Sequence, residues 1–236
     1  MTTRCPFLIA GILMLAAGPS QATPIALQNA TATFSQGIFN ASTAIDGDPV
    51  NTGWAIDPFE TNQTAVFETV SDLFTAGGTL IFNLAHLSVH SQHTIGRFRL
   101  SATTDARGNF ADGLQITGDV SANWVVLDPT TFSSTDFSTM TEQGDNSILL
   151  SGINPARDTY SVTASTNLSG ITGFRLEVLE HPSLPDGGPG RAFNANFVLT
   201  NFTVDGVAAV AAVPEPGSLA LLAAALGALG IARRRK

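Results

Sequence analysis

The chain has 236 residues and sets 11 lysines and arginines against 19 aspartates and glutamates, a net charge of −8. That excess of acid excludes the electrostatic footprint expected of a nucleic-acid or anionic-lipid binder. A single cysteine, Cys5, excludes a disulfide framework.

At the N-terminus, Arg4 precedes an apolar stretch from Pro6 to Ala17, and Ser20-Gln21-Ala22 forms a small-x-Ala cleavage site. These features predict a signal peptide over 1–22, a mature chain from Thr23 and export from the cytoplasm. Cys5 would leave with that peptide. Five of the 11 cations lie in the two end segments (Arg4, Arg233, Arg234, Arg235 and Lys236), whereas Glu215 is the one acid there. The remaining chain has six arginines, no lysine and eighteen acids, a balance of −12 that makes the exported part more acidic than the whole.

Between the ends the sequence reads as β almost throughout. Alternating runs occur at Ala65–Val70, Thr79–Leu84, Gly96–Thr103, Asn123–Leu127, Asp158–Ala164, Phe174–Leu179 and Asn196–Val204, with Gly, Asn, Asp and Pro between them. In Arg97-Phe98-Arg99-Leu100 and Arg175-Leu176-Glu177-Val178, charged and apolar residues fall on opposite faces, as a half-buried strand requires. About seven or eight such strands predict an all-β, antiparallel β-sandwich over 23–207. No sustained helical period interrupts it. The Ser-, Thr- and Asp-rich stretch 128–145 is expected to be loop, and 208–212 a short linker.

Ala30-Thr-Ala-Thr-Phe-Ser-Gln36 followed by Ala44-Ile-Asp-Gly-Asp-Pro-Val-Asn-Thr-Gly-Trp54 resembles the opening of a discoidin or coagulation-factor type C domain, a galactose-binding-like jelly roll. The loop between Gly47 and Thr52 is one residue longer than the common spacing. Trp54 is expected to anchor that loop on the core. Blocks at Gln92–Ser101, Trp124–Pro129, Asn154–Tyr160 and Gly187–Leu199 are similar to a jelly-roll, carbohydrate-binding-like module of large planctomycete-type surface and cytochrome-linked proteins. Asp46, Asp48, Asn51 and Thr52 supply hard oxygen ligands for a structural calcium. The resemblance implies calcium at this loop, closed by Asn201 or Asp205 near the last strand; a solvated Asp-Gly turn is the alternative. It further implies a sugar site at loops or on a concave face, with Trp124, Tyr160, Arg191 and Asn194 as candidate contacts. Arg191 is expected near a rim, behind the glycine-rich loop 187–190.

His86, His90 and His93 are spaced for zinc on a helix. On a strand, His86 and His90 would instead share one face about 13 Å apart, with His93 turned away. They are therefore read as surface or loop histidines. No nucleophile elbow, His-Glu-x-x-His or phosphate loop is present, so no catalytic activity is expected.

At the C-terminus, Pro214-Glu215-Pro216 precedes an uncharged apolar run from Leu219 to Ala232 and the basic tail Arg233-Arg234-Arg235-Lys236. As a helix the run would cover roughly 20 Å, short of a hydrocarbon core of ~30 Å. Gly217 and the cations extend it into the interface, with the cations on the cytoplasmic side. The segment 213–236 resembles the PEP-CTERM sorting signal of exopolysaccharide-producing Gram-negative bacteria. That resemblance implies a single transmembrane sorting helix, retention in the inner membrane, and an exosortase-type enzyme as partner. The final location would be the cell surface or extracellular matrix. The whole then reads as an exported binding module for exopolysaccharide or biofilm polymer, with a purely structural matrix or adhesion protein as the alternative.

Overall fold

The computed structural model describes residues 21–209. The expected signal peptide lies almost wholly outside them, and so do the Pro-Glu-Pro motif, the sorting helix and the basic tail. Among the described residues no helix is long and apolar enough to cross a membrane. Twelve strands and three short 3-10 helices occur among the described residues.

The strands are β1 (Thr23–Pro24), β2 (Leu27–Ala32), β3 (Gln63–Leu73), β4 (Gly78–His86), β5 (Arg97–Thr103), β6 (Val125–Val126), β7 (Pro129–Ser134), β8 (Thr139–Glu142), β9 (Ile148–Ser151), β10 (Asp158–Thr166), β11 (Ile171–Val178) and β12 (Asn201–Ala208). They form two sheets, ordered β1-β12-β4-β10-β7 and β2-β3-β11-β5-β9-β8, with β6 added beside β5. Every strand pair is antiparallel. Taking β1, β3, β4, β5, β9, β10, β11 and β12 as eight consecutive strands, their spatial orders are 1-8-3-6 and 2-7-4-5. This is the connectivity of a jelly roll, in which two Greek keys close on one core. The expected antiparallel sandwich is therefore present. Stretch 128–145, expected to be loop, instead supplies β7 and β8. Its Ser and Thr side chains are mostly exposed on sheet edges, so the alternation carries little apolar signal.

The core lies between the inner faces. Phe67 stacks on Phe202, and Phe82 meets Phe174 edge to face. Phe98 and Leu100 point inward, while Arg99 turns out to pair with Glu177 at 2.8 Å. Trp54 is fully enclosed, and its Nε1 donates to the Phe34 carbonyl at 2.9 Å. Gly53 makes that approach possible. Its φ is +148°, and a Cβ there would lie 2.6 Å from the Leu199 carbonyl oxygen. All strands and the whole described core fall within 23–208, so this segment contains a complete fold and can be produced by itself.

The direction of the strands separates two ends. β12 finishes at Ala208, opposite Gly78, and β1 begins at Thr23, opposite Gly206. Both ends of the described segment therefore lie at the same end of the sandwich. The long connections 33–62, 87–96, 135–138, 152–157 and 179–200 all lie at the far end.

Candidate functional site

Irregular backbone at the loop end is held by a small set of polar side chains. Arg191 lies there, 8% exposed, with its guanidinium bonded to three groups. Nη1 donates to Ser138 Oγ at 3.0 Å, and Nη2 donates to the carbonyls of Gly152 and Ile153 at 3.0 and 2.8 Å. Ser138 Oγ donates in turn to the wholly buried Asp158 carboxylate at 2.7 Å. Asp158 also accepts from Ser134 Oγ, Thr135 Oγ1 and the amides of Asp136 and Thr159. A buried cation and a buried anion thus face each other through a hydroxyl, the cation donating three hydrogen bonds and the anion accepting from five groups, which offsets the cost of keeping charge in a core.

Two asparagines extend this latch. Asn154 Nδ2 donates to the carbonyls of Gln92 and Arg191, and its Oδ1 accepts from Thr94. Asn196 bonds the Ile56 amide and the Gln36 side chain. Five loops are joined by side-chain bonds that turn their unpaired backbone groups inward. Arg191 therefore sits beneath the rim rather than on it. Its sequence position behind a glycine-rich loop gave no sign of the Ser138 and Ile153 acceptors, which arrive from β7–β8 and β9–β10.

On this scaffold the loop tips expose large apolar side chains. Phe193, Phe137 and Ile38 are 87%, 83% and 82% exposed, and Val89 and Ile153 are also solvent-facing. Beside them Phe39 packs edge to face on His90, whose ring lies 5.6 Å from that of His93. The loops that carry these tips are tied to one another by the Arg191, Asn154 and Asn196 hydrogen bonds. The tips offer flat apolar faces next to hydrogen-bonding groups, an arrangement suited to the apolar face and hydroxyl rim of a sugar. Sequence reasoning had not singled out Phe137 and Phe193, because an isolated phenylalanine between polar residues looks the same whether it turns in or out.

The sugar contacts expected from sequence are not brought together. Tyr160 is wholly buried in β10, its hydroxyl donating to the Ile95 carbonyl at 3.1 Å, so it is core and cannot touch a ligand. Trp124 is half-buried on the outer face of the β3-β11-β5 sheet, well away from the loop end. Its Nε1 donates to Val120, Phe110 packs against one edge, and the Arg175 guanidinium lies 5.4 Å over the ring. That face is taken. Asn194 alone lies at the loop end and is partly exposed, its Oδ1 accepting from the Asn196 amide.

His90 and His93 lie in the loop 87–96 as expected, but His86 does not. β4 stops at His86, so His86 and His90 do not share a strand face. His86 is buried against Tyr160, and its Nε2 accepts from the Ile95 amide at 3.3 Å. Burial pushes its pKa down to about 3, against the neighbouring Asp158. The unfolded chain takes up this proton near pH 6.5, but the folded chain does not until about pH 3. Stability is therefore complete above pH 6.5 and falls as pH drops through that window, by about 1.4 kcal/mol per unit. The His86 contribution to the acid side of a melting curve is expected to vanish in His86→Phe, which titration of Tm against pH checks. Among the described residues no three histidines, cysteines or acids converge as a metal site.

The loop proposed for calcium closes on itself. Asp48 Oδ1 accepts from the amides of Val50 and Asn51, and Oδ2 from Asn51 Nδ2, which hold its pKa below the ordinary value. Asp46 Oδ1 accepts from the Asp48 amide and Thr52 Oγ1. Asn201 and Asp205 line a groove of about 460 Å³ beside Ile45 and Gly47, while the loop carboxylates turn to amide donors within the loop. Calcium takes six to eight oxygens, so an ion held here would need backbone carbonyls and water beside these four side chains. A rise in Tm with calcium that EDTA reverses and Asp46→Asn/Asp48→Asn removes would place the ion at this loop; an unchanged Tm would leave a self-bonded Asp-Gly turn.

Residues 212–236 match the PEP-CTERM protein-sorting motif. The motif marks the chain as exported, held at the membrane and then handled by an exosortase. No curated protein matches the chain. Two solved structures from Clostridium perfringens are similar in fold. One is CBM32-3 from a family 31 glycoside hydrolase, at 11% identity and a TM-score of 0.44, covering 77% of this chain and 95% of the module. The other is the family 32 carbohydrate-binding module of NanJ in complex with galactose, at 14% identity and a TM-score of 0.31, covering 66% and 99%.

Proposed function

We propose that this protein is an exported, non-catalytic module that holds polysaccharide at its loop end, its ligand being exopolysaccharide of the matrix around a Gram-negative cell. The polarity of the sandwich carries this reading. Thr23 and Ala208, after which the sorting motif follows in sequence, lie at one end, while the exposed aromatic and aliphatic tips stand on latched loops at the other. A tail that follows Ala208 and is held at a membrane would leave the tips free to meet polymer outside. Phe137 and Phe193 would stack on sugar rings, with Asn194 and His93 taking hydroxyls. The balance of −12 favours neutral or amine-bearing polymers over polyanions.

Affinity electrophoresis of segment 23–208 through gels containing neutral polysaccharides tests the proposal. Retardation that soluble oligosaccharide reverses is the expected result. A folded segment that migrates unretarded through every polymer would overturn sugar binding and leave a structural protein of the matrix.

A further inference from the structure

A second cavity lies on the flank of the sandwich, near the end that holds Thr23 and Ala208 and remote from the loop tips. It has a volume of about 410 Å³, enough for one or two sugar-sized rings, between the β2–β3 edge and the connection that follows β5. Its floor is Glu68, on the outward face of β3 and only 3% exposed. Glu68 Oε2 accepts from Gln28 Nε2 at 3.1 Å and Asn29 Nδ2 at 2.9 Å. Oε1 takes no hydrogen bond from any described residue, although the side chain lines the cavity. The register of β2 on β3 shifts between Gln28 and Thr31, and this bulge swings Asn29, at φ 47°, onto the carboxylate.

The walls add Asp112, Asp119, Asn109 and Arg107. Arg107 is spent elsewhere, on Thr69 and on Asp72 at 2.7 Å. Asp112 accepts from the amides of Leu114 and Asp119, and Asp119 Oδ1 from that of Ser121. Asp119 Oδ2 and the Asn109 side chain have no partner among the described residues. Three carboxylates face one engaged guanidinium. What the cavity lacks is a donor with positive charge, placed against a carboxylate oxygen that water reaches only through the opening.

We propose that this flank cavity binds a ligand bearing a primary ammonium group on a sugar-sized frame, with the ammonium on Glu68 Oε1 and Asp119 at the mouth. The site is independent of the loop end, so either can fail without the other. A charged amine brings three donors to an acceptor-lined site and offsets its excess of negative charge, which a neutral sugar does not.

Titration of segment 23–208 with D-glucosamine at pH 6.5, followed by NMR shifts or calorimetry, tests it. N-acetylglucosamine and calcium chloride serve as comparisons. Saturable binding of glucosamine is expected, at least tenfold tighter than the acetylated sugar. Glu68→Gln should weaken it about tenfold or more, and the exposed Asp119→Asn, which leaves the fold intact, by about two- to fivefold. A Phe137→Ala/Phe193→Ala variant should bind glucosamine as the parent does. Equal affinity for the acetylated sugar, displacement by millimolar calcium, or binding that survives both Glu68→Gln and Asp119→Asn would overturn the proposal. So would no saturable binding at all.

Discussion

Arg191→Ala should cost this fold about 3–5 kcal/mol, the range for breaking a buried charge arrangement from one side. For a domain of this size that lowers Tm by roughly 10 °C or more. The substitution removes the donors to Ser138 and to two carbonyls, and it leaves Asp158 as a buried anion without its counter-charge. Each orphaned carbonyl adds its own desolvation cost of about 1–3 kcal/mol where water cannot enter. Arg191→Lys should fare little better, because one ammonium cannot span acceptors set for a planar fork. The double variant Arg191→Met/Asp158→Asn separates the terms. Recovery of part of the loss would show that the unbalanced anion dominates; no recovery would show that the hydrogen-bond fork does. Thermal and urea denaturation measure both, and a single-variant Tm within 2 °C of the parent would show that the latch adds little. Because Arg191 joins the loops that carry Phe137, Ile153 and Phe193, polysaccharide retention should fall with it.

The strands were legible because their signal is local. Phe98 and Leu100 turn inward and Arg99 outward within four residues, and that alternation survives without knowledge of the partner strands. Trp54 behind Gly53 was legible for a similar reason: a large ring following a residue that lacks a Cβ belongs against backbone. β7 and β8 were not legible, because each of these short edge strands turns a single apolar residue to the core, Phe132 and Met140, too few for alternation to show. Side-chain destinations were harder still. Tyr160 and Trp124 each carry a ring and a polar handle, and sequence alone cannot say whether the handle meets solvent, a carbonyl or a guanidinium. Here Ile95 and Val120 take the handles and Arg175 covers one ring. Arg191, expected on the rim, is sequestered because its three acceptors come from loops 38 to 53 residues away. The loop end is thus a tertiary product, whereas the sorting motif at 212–236 is linear and was readable as such.

Phe137→Ala combined with Phe193→Ala should abolish retention on polysaccharide while leaving Tm within about 2 °C of the parent. Both rings are more than four-fifths exposed, so truncation removes little buried area and creates no cavity. Their value to the folded state is small, and their exposure on latched loops serves a partner. Stacking contributes about 0.5–1.5 kcal/mol per ring beyond the area buried. Loss of both therefore predicts a roughly ten- to hundredfold weaker dissociation constant for an oligosaccharide that spans them. The single variants divide this unevenly if one ring is central to the site. Phe193 borders Asn194 and lies on the loop that Arg191 and Asn196 pin, so the larger share is assigned to it. Phe193→Tyr, which keeps the ring, should retain most of the affinity. Affinity electrophoresis across the series decides the matter: undiminished retardation of the double variant would move the sugar site off the loop tips, and restoration by Phe193→Tyr but not Phe193→Leu would show that a ring face, rather than apolar bulk, makes the contact.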